Sequence, residues 1–313
     1  MGLLHVDSSG GAVALPDERG SLSYRVDGEQ GPVRLRYVAP PASLRASIGS
    51  LYVFTVTAER FADFTRADVP QLRFMLTGGG HYHFHDGVVM ATPQVCLLGP
   101  TMGATRFQLD GPAHVLGLSL LPAGWMAIHG GDASALADRL CDLAAERGAP
   151  WPDLLARLRA LGDDVDAMAD LCWAELGRLI RPPRQSVLDL LGAIDAWLMD
   201  EGSPRIEALV ATTGLSPRQL ARLANRYYGA PPKLLARKYR ALRCSARIAL
   251  DGESWQQLCE EGGFYDQSHF IREIKHFIGL TPHQLQTEPS AVAQLTLLRR
   301  SLGGDVATLN RLS

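Results

Sequence analysis

The sequence is poor in most of the features that would place it outside the ordinary globular class. No stretch of about 18 uninterrupted apolar residues occurs, so hydropathy gives no membrane-spanning helix. The opening residues carry no basic leader ahead of an apolar run, as a secretory signal would. Cysteine is scarce and odd in number: Cys96, Cys141, Cys172, Cys244 and Cys259 are scattered without a C-x-x-C pair. That argues against a disulfide framework and a zinc knuckle, and reduced core thiols are expected. There is no G-x-S-x-G nucleophile elbow, and Gly78-Gly79-Gly80 lacks the following helix whose amides would cradle a phosphate. These absences lead to an expectation of a cytoplasmic protein with no membrane association, no cofactor and no enzymatic activity.

What is present is a 313-residue chain with 46% hydrophobic and 20% charged residues, enough for about two globular domains. The net charge of -2 conceals an asymmetry. Residues 1–183 hold 15 Lys and Arg against 20 Asp and Glu, whereas residues 204–250 hold 10 against 1. A basic block of that density on a folded segment is an electrostatic footprint for a polyanion.

Periodicity divides the chain. Short β-type runs, Leu51 to Thr57, Leu72 to Thr77, Val88 to Met90 and His114 to Leu121, are separated by Gly, Pro and Asp-Gly turn signals and predict a sandwich or barrel. Helical spacing follows over Asp132 to Arg147, Trp151 to Leu161 and Asp163 to Ile180. Arg181-Pro182-Pro183-Arg184 breaks both periodicities, because proline removes an amide donor and biases the preceding residue away from α. The expected fold class is therefore α+β. An N-terminal β-rich, cupin-like domain with a helical second half covers 1–183, an all-α domain covers 184–286, and a C-terminal extension covers 287–313.

The all-α segment has legible helix ends. Ser203-Pro204 has the form of a cap with proline at the first helical position, and Ser216-Pro217-Arg218-Gln219 repeats it with a Gln that can return a bond to the cap. Helix, Gly214 turn and helix make a helix-turn-helix. A second copy runs from Ser254 through Gly262-Gly263 to a helix from Gln267 to Ile278, with Gly279 as a left-handed stop. Between them a helix over Pro232 to Leu250 spans roughly 28 Å at 1.5 Å per residue, close to the roughly 34 Å between successive major grooves on one DNA face.

Projected at 100° per residue, the second helix of the first unit groups Arg218, Ala221, Arg222, Asn225 and Arg226 opposite an apolar face. Arg can read guanine bidentately, and Asn can read adenine. The later helix places Ser268, His269, Arg272, Lys275 and His276 opposite Phe270, Ile274 and Phe277, with Gln267 at its start.

The run Gly263-Phe-Tyr-Asp-Gln-Ser-His-Phe-Ile-Arg272, continuing through Lys275 and Gly279-Leu-Thr-Pro282, resembles the signature of the AraC/XylS family of bacterial transcription regulators. Leu215 to Arg222 and Gly229 to Pro232 resemble that family's first motif. The likeness covers roughly 186–286. It implies two helix-turn-helix units in adjacent major grooves, with base contacts from Arg218, Ala221 and Arg222 and from Gln267, Ser268, His269 and Arg272. The full DNA-binding set expected here adds Gln219, Asn225 and Arg226. Ile274 replaces the family's usual Phe and Cys259 its usual Ala, both at interior positions. The resemblance also implies double-stranded DNA as partner, a homodimer, a small-molecule effector bound by the N-terminal domain, and RNA polymerase as a contact if the protein activates.

On a strand, His81, His83 and His85 share one face while Tyr82 and Phe84 share the other. Two such histidines begin a cupin metal site, which needs a carboxylate and a further histidine in addition. The expectation is therefore no metal, with these histidines lining a ligand face or facing solvent. A metal-dependent cupin-type enzyme fused to a DNA-binding module remains the alternative function.

Overall fold

In the computed structural model, which describes residues 13–15, 22–28, 30–200, 204–261, 263–305 and 307–312, the first half folds into one antiparallel sheet. Its strands are β1 (Val13–Leu15), β2 (Leu22–Gly28), β3 (Gly31–Val38), β4 (Ile48–Val56), β5 (Arg60–Thr65), β6 (Gln71–His83), β7 (Val89–Ala91), β8 (Val95–Leu98), β9 (Thr105–Leu120) and β10 (Leu140–Asp142). The order is β1-β2-β3-β4-β9-β6-β8-β10, with β5 on β9 and β7 on β6. The long strands β6 and β9 each serve two halves of the sheet. The start of β9 pairs with β5 and the end of β6, and the end of β9 pairs with β4 and the start of β6.

The ladder slips between Met75 and Gly79, where Gly78 adopts φ +77° and a Cβ would come within 2.9 Å of the Ala113 side chain. The triple glycine is thus a strand irregularity that bends the sheet into a barrel-like wall.

Alternation assigns the two faces. Leu51, Val53, Leu72, Phe74, Leu116 and Leu118 point to one side. There they meet the helices α3 (Trp151–Ala160) and α4 (Val165–Leu179), which follow the short helices α1 (Pro122–Ile128) and α2 (Leu143–Arg147). Tyr52, Phe54, Met75, Phe107, Leu109 and Val115 point to the concave side. The sequence pattern from Asp132 to Arg147 does not make the single helix its spacing suggests. It breaks into a 3-10 turn capped by Asp132, the edge strand β10 pairing with β8, and α2. Leu140 and Leu143, three apart as in a helix, reach different cores: Leu140 the concave-side cluster and Leu143 the cluster under α3 and α4.

After the extended residues at 181–184 come α5 (Gln185–Met199), α6 (Ile206–Thr213), α7 (Pro217–Tyr228), α8 (Pro232–Leu250), α9 (Trp255–Glu261), α10 (Gln267–Ile278), α11 (Pro282–Thr287), α12 (Ala291–Leu297), a 3-10 segment Leu298–Asp305 and α13 (Thr308–Leu312). The cap expected at Ser203 lies outside the described residues, and α6 begins at Ile206 rather than Pro204. No helix among the described residues is long and apolar enough to cross a membrane. The helical core is not closed on itself: Ala67, Val69, Met102 and Ala123 of the first half sit in one cluster with Leu220, Leu235, Tyr239, Leu242 and Phe277.

Candidate nucleic-acid interface and barrel cavity

The first helix-turn-helix, α6 and α7, turns at Gly214 with φ +68°. At Ser216 both halves of a capping box form: the hydroxyl accepts from Gln219 N at 3.3 Å, and Gln219 Oε1 accepts from Ser216 N at 2.9 Å. Gln219 is exposed, but its carbonyl oxygen is engaged at the cap, which leaves its Nε2 as the group able to meet DNA. Leu220, Ala224 and Tyr228 bury the inner face. Tyr228 donates to Asp195 Oδ1 at 2.6 Å, tying α7 to α5. Arg218, Arg222 and Arg226 are exposed, and Ala221 and Asn225 half-buried, on the face expected from the projection.

The second unit, α9 and α10, is organised around Phe264. Its ring meets Phe270 edge-on at 4.7 Å and lies under the Arg240 guanidinium at 4.7 Å. Asp266 caps α10 by accepting from His269 N at 2.6 Å. Gln267, Ser268 and Arg272 are exposed. His269 is more constrained: its Nδ1 accepts from Tyr265 N at 3.2 Å while Nε2 lies 3.9 Å from Glu273 Oε1, so the ring holds the turn as well as facing outward.

Glu273, 5% exposed, accepts a bidentate pair from Arg237 of α8 at 2.9 and 2.7 Å. Burial opposes its charge, yet Arg237 holds its carboxyl below the usual range. Arg237 therefore joins the connecting helix to the second recognition helix and is not a free phosphate contact.

The far ends of these helices are fastened to the barrel. The carbonyls of His276 and Phe277, at the C-terminal end of α10, accept from Ala104 N and Ala67 N, each at 2.7 Å. Loop amides from the first half thus fill acceptors that a helix end leaves open. His276 is turned toward the first half of the chain: its ring meets His85 edge-on at 5.3 Å. Burial, then His85, pushes its pKa down. Gly229, closing α7, abuts Pro100, where a Cβ would fall 2.3 Å from Pro100 Cγ.

Lys238, midway along α8 and 1% exposed, donates to Asp68 O at 2.6 Å and Thr101 O at 2.9 Å. Burial pulls its pKa down to about 8. Asp138, in a left-handed backbone conformation at φ +53°, accepts from Met102 N at 2.8 Å and shapes the loop that receives these helices.

The row of histidines does not converge. His81, half-exposed, lies 3.8 Å from Asp110, and His85, beyond the end of β6, lies 3.5 Å from Asp138. His114, the further candidate, lies 3.7 Å from Asp163. Each has a different acid, and among the described residues no group of three or more His, Cys, Asp or Glu is placed to hold a metal ion.

A cavity does open within the barrel, enclosing roughly 730 Å³ between the atoms with its mouth included. Tyr37, Phe54 and Phe107 contribute its apolar wall, and Arg66, Arg73 and Arg299 line it against a single carboxylate among the described residues, Asp68. Arg299 donates to Asp68 at 3.1 and 3.2 Å. Burial, then repulsion from Arg299, brings the Arg66 guanidinium down to about 10. Burial pushes the Tyr37 hydroxyl up to about 12, so it stays neutral. The cavity lies away from the histidine row that the sequence singled out, and part of its wall comes from the C-terminal extension.

Residues 209–288 match the family described as a helix-turn-helix domain. No protein of curated function matches the chain. Among solved structures, apo ToxT from Vibrio cholerae is similar at 13% identity, covering 80% of this chain and 98% of its own, with a TM-score of 0.43. A second ToxT structure from the same organism is similar at 12% identity over 75% and 97%, TM-score 0.41. The AraC-like transcriptional activator CuxR is similar at 14% identity over 71% and 83%, TM-score 0.31. Residues 209–288 thus form a helix-turn-helix domain, whose two capped units with exposed arginines make it a candidate nucleic-acid interface.

Proposed function

We propose that this chain is a DNA-binding transcription regulator of the AraC type that reads two adjacent major grooves with α7 and α10, and that a small molecule in the barrel cavity controls the reading. Base contacts come from Arg218, Ala221, Arg222 and Asn225 in the first unit and Gln267, Ser268 and Arg272 in the second. Gln219, Arg226 and His269 flank them and meet backbone phosphates. The observation that carries this reading is a polarity: both recognition helices leave their N-terminal faces exposed while their C-terminal ends are held by the barrel. Selection of bound sequences from a random duplex library tests it. Two conserved half-motifs about one helical turn apart are expected, and enrichment without any base preference would refute the assignment.

The division of labour follows residues 1–183 as sensor, 184–286 as DNA-binding unit and 287–313 as a segment returning to the barrel. The protein acts in the cytoplasm, where its DNA is, and catalyses no reaction. If it activates, the surface left outside the DNA face contacts RNA polymerase. A homodimer on paired half-sites completes the reading. Most apolar positions of α3 and α4 are buried against the sheet, so the contact falls to the remaining surface of α4, including Leu179, 38% exposed. Sedimentation velocity of the full chain checks the dimer: a monomer both free and on paired sites would exclude it.

A further inference from the structure

The segment beyond the helix-turn-helix match has no place in DNA reading, yet it is bound into the barrel along its length. Val292 N donates to Asp63 of β5 at 2.9 Å, Arg66 donates to Thr296 O at 3.0 Å, and Arg299 reaches Ser119 Oγ of β9 at 3.2 Å in addition to Asp68. Farther on, Asn310, fully buried, donates to Ser50 of β4 at 3.1 Å, and its side chain fills the space that a Cβ on Gly49 would need. Leu309 enters the core of the DNA-binding helices, and Arg300 pairs with Asp251 after α8 at 2.8 Å. The segment is a strap crossing from one half of the molecule to the other.

Resting on the reading of the cavity as a ligand site, we propose that this strap is the element that reads occupancy: an apolar molecule carrying one acid group enters the cavity, takes Arg299 from Asp68, and so loosens the barrel's hold on α8.

The ligand class follows from charge. Among the described lining residues, three guanidinium groups stand against one carboxylate, the rest being apolar or uncharged, so these residues carry net positive charge in a place where charge is poorly solvated. An apolar body fits the aromatic wall, and an anion fits the excess. Arg299 is the group to be contested, because its side chain is 3% exposed and cannot turn to water, whereas the Asp68 side chain is 18% exposed and can.

The consequence for DNA binding follows from what else Asp68 does. Its backbone carbonyl accepts the Lys238 ammonium, and its amide donates to Thr101 Oγ1 at 2.8 Å. The side chain that a ligand displaces and the carbonyl that grips the connecting helix therefore belong to one residue.

Octanoate and its uncharged counterpart octan-1-ol, each titrated into the full-length protein, separate the possibilities. Octanoate is expected to bind about tenfold or more tightly than the alcohol, as a charged hydrogen-bonded pair implies. It should also alter amide hydrogen exchange across 290–302 and 232–250, while the alcohol leaves both unchanged. Arg299→Gln should abolish the discrimination and Arg299→Lys should retain most of it, with melting temperature confirming the fold of each. If octanoate binds but exchange in 290–302 does not change in the unaltered protein, or if discrimination survives in Arg299→Gln, the proposal falls while the cavity reading stands. If neither probe binds, the cavity reading falls and the proposal with it.

Discussion

At the scale of single residues, exposed side chains divide into those proposed to read bases and those that hold the fold. Arg222 and Arg272 stand free on the outer faces of α7 and α10, so Arg222→Ala or Arg272→Ala is expected to cost about 1–3 kcal/mol at the cognate site and relax preference at one base pair. Competition binding against single-base variants of the site measures this. An equal loss on all sequences would reassign both residues to phosphate. Arg237, bound to Glu273, should instead behave as a fold residue.

Lys238 makes a separate prediction. Its folded pKa of about 8 lies below the ordinary lysine value of 10.5, so between these values the unfolded chain binds more protons and stability contributed by this site rises with pH. The slope approaches about 1.4 kcal/mol per pH unit. Buried thiols such as Cys96 and Cys172, pushed up to about 12, act in the opposite direction above pH 9. The difference between wild type and Lys238→Met in denaturant unfolding, measured from pH 7.5 to 9.5, isolates the lysine. Parallel curves would show that it is not buried as a titrating group.

At the scale of elements, the capping box on α7 should be worth about 1 kcal/mol. Ser216→Ala is expected to lower the unfolding free energy by that amount, seen as a lower denaturation midpoint at unchanged m, and to weaken DNA binding, because the same turn aims Arg218 and Arg222; an unchanged midpoint would deny the cap its role. The helices that could be read from sequence, α7, α8 and α10, are those whose ends carry local chemistry: Ser216 with Gln219, Pro232, Asp266, and glycines at 229 and 279. The elements that could not are those whose character depends on distant partners. β10 exists because Cys141 finds Leu97. His276 has the sequence context of an outward-facing helix residue, and only the approach of His85 turns it into an interface group. Nothing local announces that Arg299 will meet Asp68, 231 residues away. The cavity was missed for the same reason, since its charged wall is gathered from β-strands, a loop and the strap.

On the scale of the whole molecule, the domain boundary at 181–184 is a boundary of the chain more than of packing. Apolar residues from the loops after β5 and β8 complete the core of the DNA-binding helices, and the strap binds both parts. Heat is therefore expected to unfold the chain in a single transition, with calorimetric and van't Hoff enthalpies in agreement. Two resolved transitions would mean that the shared cluster contributes little. By the same argument, a fragment limited to 184–286 exposes the surfaces that normally receive Ala67, Val69 and Met102, and should be markedly less stable than the full chain.

The strap also sets a genetic expectation. Because residues 290–302 are synthesised after the proposed DNA-reading motifs yet complete the wall of a cavity begun by earlier strands, the cavity is encoded on both sides of the proposed reader. A premature stop or frameshift just after codon 288 would leave every base-contacting residue intact while removing Val292, Thr296 and Arg299 from the cavity. Such alleles should be selected as ligand-blind rather than as simple loss of DNA recognition, and they should cluster beyond codon 288, where a map of the DNA-binding motif alone would place none.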